Sequence, residues 1–320
     1  MKEYGGFFGL ELFRGEEYHS SSFGFNYCRT ALQYLLRVKS IKKLYMPHYI
    51  CGSVIQAVRN CNVEVVHYHI DEGFRPILDG IPFDSSILLV NFYGQLDDQY
   101  ILKVKSQFSH LIVDNTQAFF HKPLHGMDTL YSCRKFFGVP DGGYLHTEIA
   151  PPEELYREKS SERFSYLVGC LEETASEHYG TFQHYEDLSE KASVAKMSMA
   201  TKSILSGINY AEVKSRREEN YRVIHHLLGS YNELSLVEEV EGPFGYPFLM
   251  KNSTKLREYL LQHKIYVPVL WSNVSETLPD QYIEHHYAKN LMMLPIDQRY
   301  DEEDVNYIAE ATIRGINNEK

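Results

Sequence analysis

Lys135 is the side chain with the most reactive potential in this sequence. It ends the segment Ser132-Cys133-Arg134-Lys135, after an apparent short strand, Thr129-Leu130-Tyr131, and before Gly138-Val139-Pro140-Asp141-Gly142-Gly143. A lysine in a cleft can condense with a carbonyl to a Schiff base and then carry protons, because burial and neighbouring charges lower its pKa. Ser132, three residues earlier, can reach a phosphate. The paired glycines permit close backbone approach or positive φ before the next strand, Tyr144-Leu145-His146. An ordinary strand–loop–strand with an exposed basic pair has the same spacing. A second group, Asp114-Asn115-Thr116-Gln117, follows the strand-like Leu111-Ile112-Val113. A carboxylate there sits at the mouth of a sheet, where it can keep a ring nitrogen protonated; a helix cap is the other reading. A third group, Cys28-Arg29-Thr30-Ala31-Leu32, opens a helix. Backbone N–H groups and the positive helix end attract anions there. The Thr30 hydroxyl is either a further donor or a simple helix-start residue.

The elements that must hold these groups show in the hydrophobic pattern. Residues 27–39 carry Ala31, Leu32, Leu35, Leu36 and Val38 at helical spacing. Strands are expected at Lys43–Met46, Val63–Val66, Ile87–Val90 and Leu111–Val113, with helices at Ser53–Arg59 and Ile101–Phe108. Continuous apolar runs such as Ile87-Leu88-Leu89-Val90 are what strands buried on both faces show. This alternation predicts an α/β fold whose mostly parallel central sheet carries helices on both faces. Ligands bind such sheets at the carboxyl ends of the strands. From Pro151-Pro152 to about Leu228 the chain reads as mostly helical. A smaller C-terminal α+β domain is expected from residue 229, with a strand at Phe248-Leu249-Met250 and helices at Thr254–Gln262 and Glu302–Ile313. The expected division is 1–228 and 229–320, since 320 residues exceed one ordinary core.

Composition removes several function classes. A net charge of -11 and no long Lys/Arg cluster argue against nucleic acid as a partner. No apolar run reaches the about 18 residues of a membrane span. The start, Met1-Lys2-Glu3-Tyr4-Gly5-Gly6, lacks the apolar region of a signal peptide. The 5 cysteines include no C-x-x-C pair, so no disulfide framework is expected and a reducing cytoplasm fits. His225-His226 and His285-His286 resemble metal ligands, but adjacent helical residues point about 100° apart, so no metal is expected. Arg134 is read as a contact to a phosphate or substrate carboxylate, or as half of an ion pair. Arg299 and Trp271 are candidates to touch substrate.

Phosphate cradle, strand-end carboxylate and lysine follow one another in the order that a fold-type-I pyridoxal 5'-phosphate (PLP) enzyme requires. The chain resembles the DegT/DnrJ/EryC1/StrS (sugar) aminotransferase family along nearly its whole length. Arg29-Thr30-Ala31-Leu32 is similar to the family's early helix start, and Met46-Pro47-His48-Tyr49-Ile50-Cys51 to its strand-then-Pro segment. Asn91-Phe92-Tyr93-Gly94-Gln95 looks like its H-x-Y-G-Q element, Val113-Asp114-Asn115-Thr116-Gln117-Ala118 like its acidic-A-A-Q-A motif, and Leu294-Pro295-Ile296-Asp297 like its last strand. The resemblance implies that Lys135 is the Schiff-base lysine, Asp114 pairs with the ring nitrogen, Gln117 bonds the ring hydroxyl and Ser132 holds the phosphate. Arg29, Thr30 and Ala31 are the implied phosphate-side residues, and Tyr49 and Cys51 compete for the position that stacks on the ring. The implied protein is a homodimeric, cytoplasmic aminotransferase taking a nucleotide-linked keto-sugar and an amino-acid donor. A dehydratase-like PLP enzyme is the alternative, although relatives best known for dehydration carry His in place of the Lys. A non-catalytic relative is the third reading.

Overall fold

The computed structural model describes Tyr4 and residues 8–318, so only Tyr4 of the N-terminal hexapeptide is among the described residues. The first half of the chain builds one sheet. Its elements are β1 (Phe23–Phe25), α1 (Cys28–Val38), β2 (Lys43–Pro47), α2 (Gly52–Arg59), β3 (Glu64–Tyr68), β4 (Ser86–Val90), α3 (Asp98–Gln107), β5 (His110–Asp114), β6 (Asp128–Ser132) and β7 (Gly143–His146). The seven strands lie in the order β1-β7-β6-β5-β4-β2-β3. Strands β3, β2, β4, β5 and β6 run parallel, and β7 is antiparallel to both of its neighbours. Leu88 and Leu89 of β4 are wholly buried, and Leu111, Ile112 and Val113 of β5 nearly so. A parallel strand covered on both faces has no polar side to alternate with, hence the uninterrupted apolar runs.

Helices follow: α4 (Ser165–Glu172), α5 (Tyr179–Glu190), α6 (Met199–Ser206) and the long α7 (Tyr210–Leu228). The remainder comprises β8 (Tyr246–Leu249), α8 (Thr254–Gln262), α9 (Ser272–Thr277), α10 (Ile283–Asn290), β9 (Leu291–Leu294) and α11 (Glu302–Asn318). Strands β8 and β9 form a separate antiparallel pair. A second core gathers around it from Tyr221, Ile224 and Leu228 of α7, Leu256 and Leu260 of α8, and Val305 and Ile308 of α11. The resemblance, which put the last strand at Leu294-Pro295-Ile296-Asp297, misplaces it. It is Leu291-Met292-Met293-Leu294, fully apolar, and it ends where Pro295 removes the next donor. Helices α9 and α10 and the three-residue β1 went unmarked in the pattern. No helix among the described residues is long and apolar enough to cross a membrane.

The cores meet through Arg217, whose side chain is 1% exposed. Its Nε donates to Gln298 Oε1 at 2.7 Å, Nη1 to the carbonyls of Pro243 (2.8 Å) and Phe244 (3.1 Å), and Nη2 to the carbonyl of Phe136 (3.3 Å). Burial pushes its pKa down to about 10, well above neutrality, so it remains a cation at physiological pH. Arg217→Met keeps the bulk and strands the Pro243 and Phe244 carbonyls, while Gln298 Nε2 still donates to that of Phe136. Urea unfolding followed by circular dichroism should show a loss of about 3 kcal/mol. Leu102→Ala, at a half-exposed position on α3, should cost less than about 1 kcal/mol.

Candidate active site

The carboxyl ends of β5 and β6 are adjacent, with Asp114 registered opposite Leu130. Asp114 is the last residue of β5 and is 7% exposed. Its Oδ1 accepts the Thr116 N–H at 2.9 Å, which fixes the carboxylate against the turn. Burial raises its pKa, while the hydrogen bonds from Thr116 and the charge of Lys135 oppose the shift. Lys135 closes the single 3-10 turn that follows β6. The residue is half-buried, and desolvation lowers the pKa of its amine against the pull of Cys51, Asp114 and Cys28. No hydrogen bond or ion pair from the described residues holds that amine; the Phe244 ring centroid lies 5.2 Å away. An unbonded amine in a partly dehydrated cleft, within electrostatic reach of a carboxylate, suits proton transfer and attack on a carbonyl, not structural support.

Gln117 is 3% exposed, and its neighbours decide which way its amide faces. Tyr93 sits in the left-handed region, φ 55°, beside Gly94 at φ 73°. The Tyr93 N–H donates at 3.0 Å to Gln117 Oε1. An N–H demands an acceptor, so the carboxamide oxygen must face it and Nε2 must face away. Nε2 is buried without a partner among the described residues. Gly94 is required in this turn: a Cβ there would stand 2.7 Å from Val240 Cγ1.

The start of α1 lies against the same cleft. Cys28 Sγ is 3.3 Å from Thr116 Oγ1, and burial pushes its thiol pKa up. Gly143 makes the approach possible, since a Cβ on it would be 2.5 Å from the Cys28 nitrogen. Arg29 reaches Ser189 Oγ at 2.7 Å. Burial lowers its pKa first, and the like charge of Arg134 lowers it further. Ser132 is half-buried at the end of β6, and its hydroxyl bonds to no protein group among the described residues.

Three side chains expected at the cofactor face elsewhere in the described structure. The Thr30 hydroxyl is 1% exposed and turned into the chain, 2.6 Å from Asn26 Oδ1 and 2.8 Å from the Tyr27 carbonyl, so it fastens the helix start instead of facing the cleft. Ala31 is wholly buried in the main core. Tyr49 is also wholly buried, 4.4 Å from the Trp271 ring and with its hydroxyl 3.3 Å from that of Tyr93. Its competitor Cys51, at the start of α2, is the residue within electrostatic reach of Lys135. Arg134 pairs with Glu186 of α5, and Arg299 forms a two-pronged pair with Asp297 at 2.7 and 2.8 Å. Trp271 packs on Tyr49 and Phe92. Phe244, Arg163 and Glu186 reach the site from distant segments that carry no motif.

No protein-family model and no curated relative matches the sequence. Solved structures do match. A DegT DnrJ EryC1 StrS aminotransferase from Brucella abortus is 14% identical, with 92% of this chain and 85% of that one covered and a TM-score of 0.61. Spr1654 of Streptococcus pneumoniae, described as a sugar aminotransferase and seen in its PLP form, is 14% identical over 92% of this chain and 87% of its own, with a TM-score of 0.63. A 3-amino-5-hydroxybenzoic acid synthase is 13% identical over 93% and 86%, with a TM-score of 0.61. At these identities the shared property is the fold, and the fold of this chain is that of the fold-type-I PLP-dependent aminotransferases.

Proposed function

We propose that this chain is a PLP-dependent aminotransferase that moves an amino group from an amino acid to a nucleotide-linked keto-sugar, acting as a cytoplasmic homodimer. The observation that carries the reading is the unbonded amine of half-buried Lys135 within electrostatic reach of the buried carboxylate of Asp114. The bound cofactor supplies a carbonyl for the lysine and a ring that withdraws electrons from the substrate carbon. The residues present fit that group. A buried carboxylate whose charge is poorly solvated gains most from a cationic ring nitrogen placed against it, which is the part assigned to Asp114. The orphaned Nε2 of Gln117 supplies a donor for the ring hydroxyl. Ser132, Arg29 and the first N–H groups of α1 supply donors for the phosphate.

Lys135 then has two tasks. Its lowered basicity keeps part of the amine neutral for attack, and once displaced it carries a proton to and from the substrate carbon. Support for the sugar comes from the sequence resemblance and from neighbours named as sugar aminotransferases; another neighbour is named as a 3-amino-5-hydroxybenzoic acid synthase. We further infer that residues 1–228 and 229–320 act as large and small domains. The separate core around β8 and β9 supports this division.

With PLP added, the protein should develop a visible band that borohydride fixes onto the peptide bearing Lys135. Lys135→Ala should lose the band and the amino transfer while keeping its circular dichroism. A label on another lysine would defeat the assignment. A second expectation concerns pH. The folded pKa of Lys135 lies below the unfolded one, so the cost of burying an ammonium is present in full below the folded pKa. It is lost as pH rises toward the unfolded value of about 10.4. Lys135→Met should therefore raise the melting temperature of the cofactor-free protein at neutral pH, and the gain should fade near pH 10.5. A constant gain across that range would show that the amine is not desolvated.

A further inference from the structure

Tyr27, the residue before α1, is 2% exposed and carries a guanidinium on several sides. The Arg29, Arg134 and Arg163 carbons stand 4.8, 5.5 and 6.0 Å from its ring centroid. Arg163 Nη1 also donates to the Tyr27 hydroxyl at 3.1 Å. The Nε atoms of all three arginines are buried and lack a hydrogen-bond partner. Three guanidiniums around one tyrosine, beside a helix start, concentrate positive charge that draws anions.

Carboxylates already approach this cluster. Glu158 lies 3.2 Å from Arg163 Nη2, but it is also tied to the Asn26 amide at 3.0 Å and so belongs to the frame. Glu186 differs. It projects from α5 onto Arg134, and its side chain is 39% exposed. One turn on, Ser189 accepts from Arg29 and donates to the Glu186 carbonyl at 2.7 Å, so a single helix occupies two of the three arginines. A planar carboxylate on an arginine uses the donors that a phosphate oxygen would use.

We propose that Glu186 is a resident counter-anion: it occupies the seat of a phosphate monoester on Arg134, and α5 must release it when a phosphate group binds. This deepens the reading above by giving the phosphate an internal competitor. Arg29, Arg134 and Arg163 are then the phosphate's counter-charges, supplied within one chain. The helix tells the empty cup from the filled one. The exchange is between anions, so its balance depends on the charge of Glu186 and not on its packing.

Inorganic phosphate is the probe, because it needs neither Lys135 nor a pyridine ring. Glu186→Gln should bind it about tenfold tighter than the parent by titration calorimetry, the equivalent of one charge-assisted contact no longer displaced. Glu190→Gln removes an equal charge near Arg29 that pairs with no arginine among the described residues, and it should change the affinity much less. In the parent protein, phosphate should speed amide hydrogen exchange in residues 179–190. Equal tightening by both variants would reduce the effect to a general field and overturn the proposal. Unchanged affinity in Glu186→Gln, or slowed exchange in α5, would also overturn it. A protein that forms no band with PLP yet shows the tightening would keep this inference and lose the aminotransferase reading.

Discussion

Arg217 sets the distance across the cleft. One prong of its guanidinium holds the carbonyl of Phe136, the residue after Lys135. Another holds the carbonyls of Pro243 and Phe244, and the Phe244 ring is the wall facing the Lys135 amine. The lysine and the surface that dries it are thus fastened to the same planar cation. Gln298 doubles the link, since its Nε2 donates to the Phe136 carbonyl at 2.9 Å while its Oε1 accepts from Arg217. Burying a cation costs several kcal/mol, and here the charge is met by four oxygens spread over three segments. The result is rigidity where a reactive amine has to be kept without a partner of its own.

The same economy shapes the turn after β4. Tyr93 accepts a left-handed backbone, which costs a non-glycine residue on the order of 1 kcal/mol. In that conformation its N–H meets Gln117 and fixes the amide so that the donor side faces outward. Asp114 and Gln117 are therefore prepared by different means. Asp114 is set by strand register and a turn hydrogen bond, Gln117 by a strained neighbour that leaves the amide one permissible orientation.

Much of this could be read from the residue pattern, and the parts that could not have a common cause. Strands β4 and β5 announce themselves because burial on both faces leaves no room for polar residues, and Asp114 stands out as the first charge after such a run. Lys135 stands out through its spacing from Ser132 and the glycines that follow. Thr30 and Tyr49 misled because residue type reports capacity to bond, not direction. The Thr30 hydroxyl found nearer partners in Asn26 and Tyr27, and Tyr49 was drawn into an aromatic core. Arg163, Glu186 and Phe244 were invisible because tertiary packing alone brings them to the site, from helical and loop segments whose local pattern is that of any solvent-facing stretch.

The shortness of β1 bears on the order in which the molecule can be made. Phe23, Gly24 and Phe25 pair with Leu145, Tyr144 and Gly143, and on the outer side the Met197 N–H donates to the Gly24 carbonyl at 3.0 Å. Strand β1 therefore lies between partners that leave the ribosome much later than it does. Until Met197 has been synthesised, Phe23 and Phe25 have no completed place in the sheet. The nascent chain carries these rings unpaired until the segment around Met197 emerges, and meanwhile a chaperone that recognises exposed aromatics would find its target.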